Sequence, residues 1–334
     1  MEPEIDAKGK ETIEKIYGIM KDHERFIVTT HYNIDGDGLG SEIAVYLLLR
    51  RMGKKVEMVN QDKTPPLYRF LPCTRLIRNK PSESMEKPDV CIVVDCGNLE
   101  RTGETAAFAK KSRVIVNIDH HFSNTGFGTV DFIGDRYSST GEMVYFLAAR
   151  HGRIQKKQAE ALYASIITDT GKFVHSMGPC TLKVVQKLIE AGADTEKIAG
   201  KIYMEKPLKS LRLLSLALSN LRCEKDIKVC WMTVDRRMYA LTGTDSSDTE
   251  GFVEMINGLR ESRAAFLIKD DGQIRVSLRS KGGYDVEKVA RKFGGGGHKQ
   301  ASGCRFPGGS SLIEVAGKLL EEMRKQNGRD NNSK

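Results

Sequence analysis

Residues 25–53 read RFIVTTHYNIDGDGLGSEIAVYLLLRRMG. The first seven, Arg25–His31, are apolar and β-branched and predict a strand. The loop NIDGDGLG follows, then a helix-forming run that Ser41 is placed to cap and Gly53 to stop. Strand, loop and helix in this order form the opening unit of an α/β domain, and the first half of the chain repeats it. Lys55–Asn60 reads as a second strand. Asp89–Cys96 (DVCIVVDC) and Arg113–Asp119 (RVIVNID) are unbroken apolar runs, the mark of strands buried on both faces of a helix-covered parallel sheet. Helical patterns occupy 140–151, 157–168 and 181–191. The expected fold class is α/β, with a doubly wound parallel sheet.

From Thr195 the pattern changes. Residues 195–222 are rich in Leu and Lys, mostly helical and broken at Pro207, which suits a helical linker or a helix packed on both domains. Strands at 228–234, 264–269 and 273–278 follow, then a helix, the run Gly294–Gly297 and a last helix from Ser311. This predicts a smaller α+β domain, with domains at 1–194 and 223–330. The polar tail from Arg324 is expected to fray. A cleft between two lobes is a common place for a small-molecule site.

Composition narrows the class. At 40% hydrophobic and 29% charged, the 334 residues sit near the globular average, which argues against disorder. Apolar stretches such as Ile43–Leu49 reach about seven residues, where a membrane span needs about 20. The N-terminal MEPEIDAKGKETIEK mixes acid and base without an apolar core, unlike a secretory signal. A soluble, cytoplasmic protein with no membrane partner is expected. The net charge of +9 suits a phosphate-rich partner. Seven cysteines without CxxC spacing predict mostly free, buried thiols in a reducing compartment.

The densest chemical signal is His31, Asp35 and Asp37 on the glycine-rich loop between a strand and a helix. That loop lies at the C-terminal edge of the sheet, where open α/β domains bind ligands. Asp95 ends one buried run, Asp119-His120-His121 ends another, and Asp169 ends the helical SIITD. A carboxylate after four or five apolar residues is costly to bury without a partner. A solvated Asp-Gly turn or an N-cap explains one such case, but not three with two adjacent histidines. His31, Asp35, Asp37, Asp95, His120 and Asp169 can hold two cations about 3.5–4 Å apart if one carboxylate bridges. Oxygen-rich ligation favours Mn²⁺, with Mg²⁺ and Co²⁺ as alternatives. Asp119 is placed to orient His120, and His121 to contact phosphate or protonate a leaving oxygen. Cys96 reads as packing, and His23, His151 and His175 as ordinary surface or core residues.

A second signal is Phe293–Gly303, FGGGGHKQASG. Consecutive glycines let successive N–H groups curl into an anion-binding nest, here Gly295, Gly296 and Gly297 with His298 and Lys299 adding donors. It has neither the Walker A ending nor the GxGxxG order. Nearby Arg279 and Ser280, at a strand end, can face a phosphate or carboxylate.

HYNIDGDGLGS, VVDCGN, NIDHHFSN and ITDTGKF resemble the four metal-binding motifs of the DHH phosphoesterase superfamily, and GGGGHKQASG resembles the hallmark of its DHHA1 domain. The motifs run in the expected order from residue 31 to 303. The pairing of one domain of each kind resembles the bifunctional oligoribonuclease and pAp-phosphatase (nanoRNase) group. The resemblance implies Mn²⁺-dependent hydrolysis of very short oligoribonucleotides and linear dinucleotides such as pApA to 5′-mononucleotides, and also of 3′-phosphoadenosine-5′-phosphate to AMP. It implies that His31, Asp35 and Asp95 hold one metal, and Asp37, Asp95, His120 and Asp169 the other. His298 and the glycines would then hold the substrate's terminal phosphate. Asn33-Ile34 and Gly38 depart from the usual motif, but none is a ligand position.

The mechanism expected is in-line attack of an activated water on phosphorus, with His121 assisting departure of the ribose oxygen. An anion clamp at a fixed distance from the metals would favour short substrates. The alternatives are a single-strand exonuclease on longer substrates and a non-catalytic nucleotide-binding regulator. The apolar helices also make a homodimer plausible.

Overall fold

The computed structural model describes residues 3–85, 87–174, 177–297 and 299–331 and divides into two units, 1–205 and 206–334. In unit 1 the strands are β1 (Arg25–Thr29), β2 (Lys55–Met58), β3 (Val90–Val94), β4 (Val114–Asp119) and β5 (Val130–Ile133). They form one parallel sheet in the order β2-β1-β3-β4-β5. The order reverses between β1 and β3, so the connections leaving these two neighbours diverge and open a crevice at their C-terminal ends. All five residues of β3 are buried, as its unbroken apolar run predicts.

The helices of unit 1 are α1 (Ala7–Asp22), α2 (Gly36–Arg51), the short α3 (Ala106–Ala109), α4 (Thr140–His151), α5 (Lys156–Asp169), α6 (Thr181–Glu190) and α7 (Thr195–Tyr203). One difference from the sequence reading matters for the site. The helix after β1 is capped by Asp35, whose side chain accepts from the Gly38 N–H, and not by Ser41. Asp37 therefore sits in the buried first turn of α2. Its glycines are sites of close approach: a Cβ on Gly40 would lie 2.3 Å from the Ala161 carbonyl oxygen of α5.

Unit 2 holds α8 (Leu208–Ser219), β6 (Arg222–Glu224), β7 (Val229–Val234), α9 (Arg236–Thr242), α10 (Phe252–Asn257), β8 (Ala264–Asp270), β9 (Ile274–Ser280), α11 (Val286–Lys292), β10 (Gly296–Gly297), β11 (Ala301–Phe306) and α12 (Leu312–Asn331). The sheet order is β10-β11-β9-β8-β7-β6, antiparallel except for β7 beside β8. Period-2 alternation gives it two cores: Phe266, Ile268, Val276 and Leu278 pack with α11 and α12, while Ala265 and Leu267 pack with α8, α9 and α10.

The structure adds to three of these expectations: the helical stretch divides between the two units, the polar tail is helical, and two cysteines pair while most stay free, as expected. Residues 195–222 hold α7 in unit 1 and α8 in unit 2, with Pro207 as the N-cap of α8. The tail from Arg324 continues α12 to Asn331. Cys223 and Cys230 form a disulfide, because β6 and β7 set them directly opposite with Cα atoms 4.0 Å apart. The other five cysteines are free. No helix among the described residues is long and apolar enough to cross a membrane.

Candidate metal centre

The crevice between β1 and β3 collects the acidic and histidine residues of unit 1. His31 lies just beyond β1, Asp35 and Asp37 at the start of α2, Asp95 just beyond β3, Asp119 at the end of β4, and Asp169 at the end of α5. Asp95 takes φ 54°, a left-handed conformation sparsely populated outside glycine, while its N–H continues the ladder to the Ile118 carbonyl.

Among the described residues, three trios have their ligand atoms within 4.8 Å of one another: His31, Asp35 and Asp95; Asp37, His120 and Asp169; and Asp95, His120 and His121. His31 Nε2 is 3.7 Å from Asp35 and 3.5 Å from Asp95. His120 Nε2 is 3.6 Å from Asp37, 3.4 Å from Asp169 and 3.8 Å from Asp95. Asp95 thus turns one oxygen toward each histidine. His31 Nδ1 lies 2.8 Å from the Tyr32 carbonyl oxygen, so the ring donates there and presents Nε2 to the carboxylates.

Around these groups stands a shell of donors that the motifs do not disclose. Asp37 accepts from Ser165 Oγ at 2.5 Å, Ser41 Oγ at 3.2 Å, and the N–H groups of Thr140 and Gly141 at 2.8 and 3.0 Å. Thr140 Oγ1 donates to Asp95 at 3.0 Å. The N-terminus of α4 therefore points its free amides and its dipole at the carboxylates. A lone serine in an otherwise apolar helical run, as at Ser165, is the only local signal for this shell. Asp119, expected behind His120, instead lies 2.6 Å from His121 Nδ1, and its other oxygen accepts from Asn124 at 2.6 Å.

The electrostatics show what the cluster lacks. Burial, strongest in each case, and then the charge of Asp95 push the Asp37 and Asp169 carboxyls well above their ordinary range. Burial also opposes ionisation of Asp95, but the His31 hydrogen bond and the three histidine charges hold it well below that range. For His31, burial works downward, yet the Asp35 charge and bonds from Asp35 and Asp95 raise the ring to about 10. Carboxyls held above their ordinary range by burial and by mutual repulsion are a donor set short of positive charge. Divalent cations fit it.

In unit 2, Arg279 donates to Glu254 Oε1 at 2.8 Å, and Ser280 is buried beside it at the end of β9. Gly296 and Gly297 pair with Gly303 and Ser302 as strand β10, so this part of the run is ladder instead of a curled nest. Gly295 lies too close to β11 for any side chain, since a Cβ would meet the Gly303 carbonyl oxygen at 2.1 Å. His298 and His175 lie outside the described residues. His23 and His151 bond to the Ile19 carbonyl and the Tyr17 hydroxyl, and Cys96 to the Asn98 carbonyl.

Residues 25–168 match the DHH family, N-terminal domain, and residues 233–326 match the DHHA1 domain. The chain is 27% identical to the bifunctional oligoribonuclease and PAP phosphatase NrnA of Thermus thermophilus over 301 residues, 90% of this chain and 89% of that one. It is 27% identical to the Bacillus subtilis protein of the same name over 291 residues, 84% and 89% of the two chains. The crystal structure of an exopolyphosphatase-related protein from Bacteroides fragilis superposes with a TM-score of 0.88 at 25% identity, covering 96% of this chain and 97% of that one.

Proposed function

We propose that this chain, which pairs a DHH domain with a DHHA1 domain and is a metal-dependent hydrolase, cleaves short oligoribonucleotides and linear dinucleotides to 5′-mononucleotides and removes the 3′-phosphate of 3′-phosphoadenosine-5′-phosphate. The observation that carries the reading is the pair of Asp/His trios with Asp95 between them. Relatives named for these two activities, similar over most of their length, support the substrate class.

His31, Asp35 and Asp95 would hold one cation, and Asp37, Asp95, His120 and Asp169 the second. The donor set favours Mn²⁺. When bound, the two cations polarise the phosphoryl oxygens and acidify the attacking water. The remaining work falls to the chain. Asp119 fixes the His121 ring through Nδ1, which leaves Nε2 to deliver a proton to the departing ribose oxygen. The α4 amides and Ser165 hold Asp37 in place. Arg279, Ser280 and His298 are assigned to the substrate's terminal phosphate.

The test is incubation with Mn²⁺ and equimolar pApA, a five-nucleotide RNA, a 24-nucleotide RNA, 3′-phosphoadenosine-5′-phosphate and pyrophosphate, with products followed by chromatography. Preferred conversion of the shortest RNAs to mononucleotides is the expected result. Fast decay of the 24-mer or of pyrophosphate would contradict the reading.

A further inference from the structure

Residues 61–80, QDKTPPLYRFLPCTRLIRNK, hold five cations, Lys63, Arg69, Arg75, Arg78 and Lys80, against the single acid Asp62. The segment therefore carries +4 of a chain whose total is +9. Such concentration has an electrostatic cost unless an anion is met there. Among the described residues, no carboxylate pairs with Lys63, Arg69 or Arg75.

These three cations, with Thr64 and Asn79, line a cavity of about 310 Å³. That lies at the lower end of the small-ligand range of roughly 300–1,000 Å³. Thr74 and Asn79 on its wall are fixed in advance, while Lys63, Arg69 and Arg75 are exposed. The Thr74 hydroxyl donates to the Arg69 and Leu71 carbonyls, and Asn79 Nδ2 donates to the Asn60 and Gln61 carbonyls. The Tyr68 and Leu71 side chains anchor the segment in the core of unit 1. The one acid on the wall is already engaged: Asp62 Oδ2 accepts from the backbone N–H of Asn33. Asn33 lies between His31 and Asp35, so that bond ties the cavity wall directly to the loop carrying two candidate metal ligands.

We propose that this cavity is a second phosphate-binding site of unit 1. It holds a phosphodiester of the substrate at least one nucleotide away from the bond cleaved, with Lys63, Arg69 and Arg75 as its cations. The inference rests on the oligonucleotide reading above and extends it: substrates of three or more nucleotides gain an anchor that a dinucleotide lacks. Guanidinium groups suit the role because their planar donors match phosphate oxygens.

The test uses the full chain in EDTA, so that binding is read without turnover. A fluorescein-labelled five-nucleotide RNA is titrated by anisotropy at several salt concentrations, with pApA as an unlabelled competitor. The double variant Arg69→Gln/Arg75→Gln is expected to bind the five-mer at least tenfold more weakly, with its salt slope reduced by about 0.7 for each phosphate no longer neutralised. Its competition by pApA should not change. Lys10→Gln, which removes an exposed cation on α1, controls for loss of positive charge away from the cavity, and thermal melts confirm folding. In Mn²⁺ the double variant should show a raised KM for the five-mer with kcat unchanged. Equal weakening of five-mer and pApA, or a double variant no different from Lys10→Gln, overturns the proposal. The two readings fail separately. Wild-type cleavage with an unaffected double variant removes the cavity alone. Binding that the double variant weakens, without any cleavage, removes the catalytic reading and keeps the cavity.

Discussion

The Asp37 carboxylate accepts a 2.5 Å hydrogen bond from the hydroxyl of Ser165, 128 residues further along the chain. The bond joins the first turn of α2 to α5, and the α4 amides complete the cage around the same carboxylate. Three helices thus meet on one acid, and their packing sets the position of a candidate ligand.

Removing that hydroxyl tests the cage. Ser165→Ala should destabilise the metal-free protein by about 1–2 kcal/mol, because a buried acceptor loses a donor. It should also weaken Mn²⁺ binding roughly 10-fold, the usual effect of losing a group that orients a ligand. Urea unfolding and calorimetric titration measure the two effects. Unchanged metal affinity would mean that the α4 amides and Ser41 position Asp37 without Ser165.

The close approach of α2 to α5 makes a second test. A Cβ on Gly40 would lie 2.3 Å from the backbone oxygen of Ala161, which cannot rotate away. Gly40→Ala should cost about 1–3 kcal/mol. Gly18→Ala, inside α1 with nothing within 4 Å of the new methyl, should instead gain about 0.5–1 kcal/mol. Equal effects at the two positions would contradict the packing described.

These two features explain which parts of the site could be read from sequence. Strand β3 was legible because burial on both faces leaves an unbroken apolar run, and Asp95 was conspicuous for ending it. The start of α2 was not, because DGDGLG has the local chemistry of a turn. It is the first turn of a helix capped by Asp35, and its glycines let that turn pack close to Thr30, Thr168 and Ala161. The partner of Asp119 was in fact readable: side chains two apart on an extended segment share a face, which selects His121 over His120. The cysteine pair was not, since its spacing fits no motif and only the β6–β7 register opposes the two residues.

Asp169 should show the conflict between stability and function. Burial and then the Asp95 charge raise its carboxyl well above the ordinary range. A group whose folded pKa is raised stabilises the fold only below its ordinary pKa, so at neutral pH Asp169 opposes folding of the metal-free chain. Asp169→Asn should therefore melt several degrees higher in EDTA. It should also lose the stabilisation that Mn²⁺ gives the wild type, and most of its turnover. A lower melting temperature in EDTA would reverse the assigned electrostatics.

Metal binding should expel protons. The His31 ring stands at about 10 in the metal-free fold, against 6.5 ordinarily, and ligation requires it neutral. Its contribution to metal-free stability is complete below about 6.5 and is lost as pH rises through about 10. Asp37 and Asp169, also raised, have the same sign. The metal-free protein should therefore weaken from pH 7 toward 10, while Mn²⁺ affinity rises over the same interval. Calorimetry at pH 7.5 in two buffers of different ionisation enthalpy should find about one proton or more released per chain. No release would remove His31 from the ligand set.

Asp119→Asn separates proton delivery from ligation. Asn124 Nδ2 donates to one Asp119 oxygen and His121 Nδ1 faces the other. The substituted amide must keep its oxygen toward Asn124, so its NH₂ turns to His121 Nδ1. The ring then has to accept at Nδ1, so it cannot hold a proton on both nitrogens and has none to spare at Nε2 for the leaving oxygen. Mn²⁺ affinity should change little, because Asp119 lies in none of the three trios. Turnover of pApA, whose leaving group is a ribose alkoxide, should fall roughly 10²–10⁴-fold, the range ascribed to general acid–base catalysis. A nitrophenyl phosphodiester, whose leaving group needs no proton, should lose far less. Equal loss on both substrates would place Asp119 in support of the fold or the metals, and His121 would no longer be the proton donor.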